Sequence, residues 1–190
     1  PDGEHLLILG GARTGRSSAL ARMANAWRAA HPDVYVAVIA PRRTTVWAGL
    51  ADVHGSDTSV LDGLPATGRV LLLVDDAELV DDTDGRLVAF ATGRRHGLVV
   101  AAGRPEALRQ TYGHWTGVVR RSRTGIVLTG GSEVDGDLLG ATLPRRFPAA
   151  PRPGLAWVVI NGTVALAQLA LDPLPARHDA TLAVVAPLAH

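Results

Sequence analysis

An eight-residue turn, Gly10-Gly11-Ala12-Arg13-Thr14-Gly15-Arg16-Ser17, constrains this chain more than any other feature. It lies between a short apolar run, Leu6-Leu7-Ile8-Leu9, and a segment in which Leu20, Met23, Ala24 and Trp27 recur at helical spacing. The run reads as a buried strand, and the periodic segment as an amphipathic helix that stops before Pro32. Strand, glycine-rich turn and helix together open a layered α/β architecture. The next residues repeat the alternation. Val34 to Ala40 is β-branched and apolar, a second strand closed by Pro41. Residues 52–68, rich in Gly, Asp, Ser and Thr, predict a short helix and a loop. Val70-Leu71-Leu72-Leu73-Val74 is apolar at every position, as a strand covered on both faces must be. A helix from Thr83 to Arg95 and a strand from Leu98 to Ala102 follow. Continuously apolar strands separated by helices predict a mostly parallel sheet flanked by helices.

The last third changes character. Gly117–Arg120, Gly125–Thr129, Trp157–Ile160 and Val164–Leu171 read as short strands broken by Gly and Pro, a β-rich C-terminal extension. Residues 172–190 carry three prolines and read as a tail, with Thr181–Ala186 as an available edge strand. The expected division is therefore one module over 1–171 and a tail over 172–190. A length of 190 residues suits one such domain. The absence of cysteine excludes disulfides, thiolate zinc, iron–sulfur clusters and a cysteine nucleophile. No apolar run reaches the roughly 18 residues that span a bilayer, so this piece is not expected to insert in a membrane. Residues 1–4 are acidic, unlike a leader peptide, and a start at Pro1 reads as an excerpt of a longer protein. The seven histidines show no metal-ligand spacing.

Charge is balanced in total and uneven in place. All 19 basic residues are arginine. From Asp52 to Asp84 there are nine acids and one arginine; from Arg86 to Arg152, eleven arginines face Glu106, Glu133, Asp135 and Asp137. Such a basic half suits nucleic acid or an acidic partner, or else a solvated surface. Arg120-Arg121-Ser122-Arg123 poses the same choice: phosphate or DNA contact, or an exposed strand end.

The turn itself fits the phosphate-binding pattern G-x-x-x-x-G-K-[ST] at every fixed position but the lysine, and has the required strand before and helix after. Glycines let successive N–H groups curl into one concavity, and the helix N-terminus adds positive potential. The candidate nucleotide contacts are Gly10, Gly11, Ala12, Arg13, Thr14, Gly15, Arg16, Ser17 and Ser18. Ser17 is the expected Mg²⁺ ligand. Arg16 keeps the cation but makes it a planar fork in a loop built for an ammonium. The same spelling also fits a glycine-rich turn that binds nothing. The other half of such a site is an apolar strand ending in acid, and Val70–Val74 followed by Asp75-Asp76 supplies it. Asp75 is the expected partner of the Mg²⁺ shell. Asp76 is the candidate catalytic base, one methylene shorter than the glutamate that activates water in related ATPases.

These motifs resemble the FtsK/SpoIIIE-type motor ATPases and, among them, the EccC proteins of type VII secretion. The resemblance covers residues 3–171. It rests on the P-loop at Gly10–Ser17, on Leu73-Val74-Asp75-Asp76-Ala77-Glu78-Leu79, and on Pro41-Arg42-Arg43 after the second strand. Gly97–Pro105 is similar to a sensor strand that usually ends Ala-Thr-Gln-Arg-Pro. Asp135–Gly140 with Pro144, and Pro153-Gly154 with Gln168-Leu169-Ala170, resemble the closing segments. The resemblance implies a RecA-like P-loop NTPase fold, ATP and Mg²⁺ as ligands, and a cytoplasmic module in a membrane-anchored chain of several such modules. It implies a regulatory third module that docks the C-terminal signal of a secreted WXG-type substrate and controls neighbouring modules, with oligomerisation open. The alternative within the same resemblance is an ATP-driven DNA translocase of the FtsK or conjugation type. No evident lid or acceptor site supports a small-molecule kinase.

Every departure from the family pattern weakens catalysis. Arg16 replaces lysine, Asp76 replaces glutamate, Gly103 replaces the sensor glutamine, and Leu155 replaces an arginine of the closing segment. Weak or absent ATP hydrolysis is therefore expected of this module alone. Of the four tryptophans, Trp27 and Trp157 fit core patterns, whereas Trp47 and Trp115 are the candidates for a partner surface.

Overall fold

The computed structural model describes residues 5–42, 47, 49–128, 133–145 and 152–169. Eight strands form one sheet in the order β3-β2-β4-β5-β1-β6-β7-β8. They are β1 (Leu6–Leu9), β2 (Tyr35–Ile39), β3 (Val53–Gly55), β4 (Val70–Val74), β5 (Gly97–Gly103), β6 (Gly125–Leu128), β7 (Leu155–Ile160) and β8 (Thr163–Gln168). The first six run parallel, and β7 and β8 are added antiparallel. The helices are α1 (Arg16–Ala30), α2 (Arg86–Gly93), α3 (Pro105–Gln110) and α4 (Thr116–Arg120), with 3-10 segments at Thr58–Gly63 and Glu133–Leu139. The mostly parallel α/β sheet with a β-rich end is the architecture read from the pattern.

Alternation along β4 shows why every position there is apolar. Val70, Leu72 and Val74 face a core closed by α2, α3, α4 and residues 138–143. Leu71 and Leu73 face the opposite core, closed by α1 with Trp47 and Leu50. Successive side chains of a strand point to opposite faces, so a strand in mid-sheet needs apolar residues throughout. Strand β5 lies between β1 and β4, pairing Leu9 with Gly103 and Val74 with Ala101. The carboxyl ends of these three strands therefore meet, and α/β sheets bind ligands at that end.

Several expectations are corrected. Gly117–Arg120 belongs to α4, not to a strand: Thr116 and Val119, one helical turn apart, are both fully buried, and Trp115 ties the segment down by donating its Nε1 proton to Val80 O at 3.0 Å. Two adjacent valines after a glycine are too short to show a period. The helix expected over Thr83–Arg95 is shorter, because Gly85 takes φ 68° and Asp82 accepts from the N–H groups of Leu87 and Val88 at 2.8 and 3.1 Å, fixing its start. The segment 52–68 contains a strand, β3, that pairs with β2 beside its 3-10 turn. Trp47 and Trp115 are buried, at 2% and 4% exposure, and so offer no partner surface. Thr129, Ala170, Leu171, the tail over 172–190 and its edge strand Thr181–Ala186 lie outside the described residues, as does Arg43. Among the described residues no helix is long and apolar enough to cross a membrane.

Candidate nucleotide site

The glycine-rich turn leaves β1 at Gly10, whose N–H donates to Gly103 O at 3.3 Å, so the loop is pinned to the end of β5. A Cβ on Gly10 would stand 2.4 Å from Thr14 Oγ1, which itself donates to Gly11 O at 3.0 Å. Only glycine permits that closure. Arg13 and Gly15 take positive φ, 63° and 96°, and the chain then enters α1 directly. Alternating left-handed residues aim backbone N–H groups into one concavity, an anion nest. The amino end of α1 carries no side-chain cap and no acid in its first turn. Its N–H groups keep their donor capacity for an anion.

Arg16 turns back across this loop. Its Nη1 donates to Gly10 O at 2.5 Å and Gly11 O at 2.9 Å, and its Nη2 pairs with Asp76 Oδ1 at 2.8 Å. Both partners of that ion pair are nine-tenths buried. Arg42, at the end of β2, approaches the other carboxylate oxygen of Asp76 at 3.5 Å. Asp76, which takes the left-handed φ of 44°, thus spends its charge on arginines. Ser17 Oγ donates to Asp75 Oδ2 at 2.6 Å, and Asp76 N–H donates to Asp75 Oδ1 at 3.0 Å. Burial, with the adjacent Asp76 charge adding to it against the Ser17 hydrogen bond, pushes the Asp75 carboxyl above its ordinary value.

The structure therefore brings together Gly10, Gly11, Thr14, Gly15, Arg16, Ser17, Asp75 and Asp76, while Ala12, Arg13 and Ser18 lie exposed on the loop and first helical turn. An uncapped helix end, a nest of amides, and a hydroxyl joined to a buried carboxylate fit a Mg²⁺-bound phosphate chain. Ser17 and Asp75 are the donors suited to the metal.

A further pair was not singled out from the sequence. The Glu78 side chain, 2% exposed, accepts from Arg104 Nε at 2.7 Å and from Arg104 N–H at 3.2 Å. A Cβ on Gly103 would meet Glu78 Oε2 at 2.9 Å and Leu108 Cδ1 at 2.8 Å. Gly103 is thus the space in which Glu78 lies. The available signal was a third acid two residues past Asp75-Asp76. The arginine run is also accounted for differently from a free exposed end: Arg120 donates to Leu108 O and Thr116 Oγ1, and Arg123 donates to Gly140 O.

Three solved structures carry a similar fold. The cytoplasmic domain of the type VII secretion ATPase EccC from Thermomonospora curvata matches with TM-score 0.61 and 19% identity, over 90% of this chain and 24% of that one. ATPases 2 and 3 of EssC from Geobacillus thermodenitrificans match with TM-score 0.65 and 18% identity, over 87% and 36%. The genome-packaging NTPase B204 of Sulfolobus turreted icosahedral virus 2, in complex with ATP-gammaS, matches with TM-score 0.56 and 9% identity, over 86% and 96%. This chain thus spans 24% and 36% of the two secretion chains. No protein-family model and no curated protein matches it. At such identities the likeness is one of architecture: a mostly parallel α/β sheet shared with these ATPase structures.

Proposed function

We propose that this chain is a degenerate nucleotide-holding module of an EccC-like secretion ATPase, which docks the C-terminal signal of WXG-type substrates and regulates neighbouring modules of a membrane-anchored, cytoplasmic motor. The observation that carries the reading is the Arg16–Asp76 ion pair. The loop cation and the candidate base neutralise each other inside an otherwise intact P-loop frame. A carboxylate whose two oxygens each face an arginine has no free oxygen to present to a water. Bound ATP would supply a phosphate chain that orders the loop. Gly10 to Ser18 would cradle it, and Ser17 and Asp75 would hold Mg²⁺. The nucleotide then acts as a structural or regulatory ligand, and turnover by the module alone is weak or absent. That the packaging NTPase was solved with ATP-gammaS supports a nucleotide in this fold.

Two measurements test the reading. Mg-ATP should bind with micromolar affinity, with no phosphate released above background. Titration with a substrate's C-terminal peptide should give saturable heat, and no binding below millimolar by the folded module would sink the docking role. A second reading, a DNA-translocating ATPase, is favoured by the exposed Arg95 and Arg121 at the amino ends of β5 and β6. It requires salt-dependent duplex binding and DNA-stimulated turnover.

A further inference from the structure

Strand β8 closes one end of the sheet, and its composition is wrong for an edge. Among the described residues it pairs with β7 on one side and with no strand on the other. Edge strands are normally kept short, or carry charge, proline or a bulge that blocks further pairing. The six residues of β8 have none of these: Thr163-Val164-Ala165-Leu166-Ala167-Gln168 is uncharged, and its register with β7 is unbroken from Ile160↔Thr163 to Leu155↔Gln168. Val164 and Leu166 pack half-buried on the core closed by α2, α3 and α4, and Leu169, just past the strand, packs on the core closed by α1. That is the pattern of an interior strand. The opposite edge is managed differently: β3 is three residues long, stands between Asp52 and Asp57, and exposes His54 at its middle.

The register also identifies which backbone groups are open. The two-residue turn Asn161-Gly162 makes Ile160 and Thr163 a hydrogen-bonded pair, and such pairs recur at every second residue. Leu169 N–H continues the series by donating to Gly154 O at 2.7 Å. The backbone groups of Thr163, Ala165 and Ala167 therefore meet β7, and those of Val164, Leu166 and Gln168 point out of the sheet. Among the described residues nothing pairs with them. The far end of the strand is held in place by its own side chain: Gln168 accepts from Arg152 Nε at 2.8 Å and donates to Pro153 O at 2.9 Å. An extended segment can add to such an edge through main-chain hydrogen bonds.

We propose that the occupant of this edge is the chain's own segment Thr181-Leu182-Ala183-Val184-Val185-Ala186, added antiparallel to β8 as a ninth strand. The segment is as long as β8, uncharged, apolar at positions facing both sides of a sheet, and bounded by Asp179 and Pro187. Residues 170–180 carry Asp172, Pro173, Pro175, Arg177 and Asp179, a composition for a connecting loop. Parallel addition would need a crossover of a dozen or more residues, usually a helix, and the two prolines oppose one there. An antiparallel return needs only the loop and continues the antiparallel order of β6, β7 and β8. A segment tethered this closely has an effective concentration on the order of millimolar, so it outcompetes a second copy of the chain at micromolar concentration. Its role is to cover the edge against pairing with other chains, whatever the glycine-rich loop binds.

Amide hydrogen exchange of the full chain, resolved by residue, tests this. In the wild type the Val164, Leu166 and Gln168 amides should exchange at least about a hundredfold more slowly than an open peptide, with alternate amides of 181–186 sharing that protection. Val184→Pro interrupts a paired strand and should release all three β8 amides, while those of Ala165, Ala167 and Leu72 change by less than about threefold. Val184→Asp keeps the N–H but sets a charge against the sheet; it should act in the same direction and serves if the proline variant does not fold. Edge amides that exchange freely in the wild type, or stay protected in the folded variant, would overturn the proposal. Protection that disappears on dilution, in step with a dimer-to-monomer shift in sedimentation, would overturn it in favour of pairing between copies.

Discussion

At the residue scale the site is a set of ion pairs in which each partner removes the other from solvent. Arg16 spans two carbonyls and a carboxylate because a planar fork donates in several directions at once. A lysine there would satisfy fewer of these acceptors and leave Asp76 with Arg42. Arg16→Lys is therefore expected to raise Mg-ATP affinity several-fold, read by competition with a fluorescent nucleotide. Phosphate release should stay at background, because Asp76 is still arginine-bound and short; turnover restored by this one change would contradict that account. Asp75 gives a prediction of opposite sign for stability. Its folded carboxyl sits above the 3.8 of an unfolded aspartate. Its contribution is thus fully present below about pH 3.8 and is lost as pH rises through the folded value, so ionised Asp75 strains the fold at neutral pH. Asp75→Asn should melt higher than wild type at pH 7 while losing Mg²⁺-dependent nucleotide binding. A lower melting temperature would refute the assignment. Such a stability cost is common where a buried charge serves a ligand.

Elements show where local sequence was sufficient and where it was not. The Asn161-Gly162 pair between β7 and β8, with φ of 50° and 81°, is the two-residue hairpin turn that Asn-Gly favours, and it was legible as a break between apolar runs. What seats the hairpin was not legible. Arg123, itself at φ 50°, accepts the Gly162 N–H at its carbonyl and lays its guanidinium over Gly140 and Gly162, where a Cβ on Gly162 would come within 2.6 Å of Nη2. Gly162→Ala should cost about 1–3 kcal/mol in denaturant unfolding, from strained φ plus the displaced arginine. An effect below about 0.5 kcal/mol would show that the contact is not part of the fold's stability. His5 performs a similar stitch at the same end of the sheet, before β1, where its carbonyl accepts from Ser122 Oγ at 2.6 Å. Its Nε2 lies 2.8 Å from Ala91 O and its Nδ1 accepts from Val99 N–H at 3.2 Å, tying α2 to β5 in the neutral form with Nε2 protonated. Burial lowers its pKa from 6.5, against the hydrogen bond to Ala91. The unfolded chain then binds the proton first, so stability contributed by neutral His5 falls as pH drops below about 6.5. His5→Gln should flatten that limb of a stability–pH curve, and an unchanged limb would assign it elsewhere.

Across the whole molecule, stability is shared by two cores on opposite faces of one sheet, and β4 feeds both. Leu72→Ala, at 0% exposure, should cost roughly 2–5 kcal/mol by lost burial and cavity formation. A change under 1 kcal/mol would mean the site collapses freely. The parallel core of the fold was readable because a continuously apolar strand has few other destinations. So were the turn at Gly10–Ser17 and the acids Asp75 and Asp76, since their chemistry lies in short contiguous spelling. The strand β3 and helix α4 escaped because their signals, three and five residues long, are too short to repeat a period. Sequence alone thus determined the parallel strands β1, β2, β4 and β5, the glycine-rich turn that leads into α1, and the positions of Arg16, Asp75, Asp76 and Gly103. Only the tertiary structure decided which arginine meets which acid: that Arg16 is spent on Asp76, and that Glu78 occupies the space beside Gly103. The physical reason is that those pairs are 60 and 26 residues apart in the chain and meet only where β1, β4 and β5 end side by side. Strand order in a parallel sheet is set by the packing of distant segments, not by the spelling of any one of them.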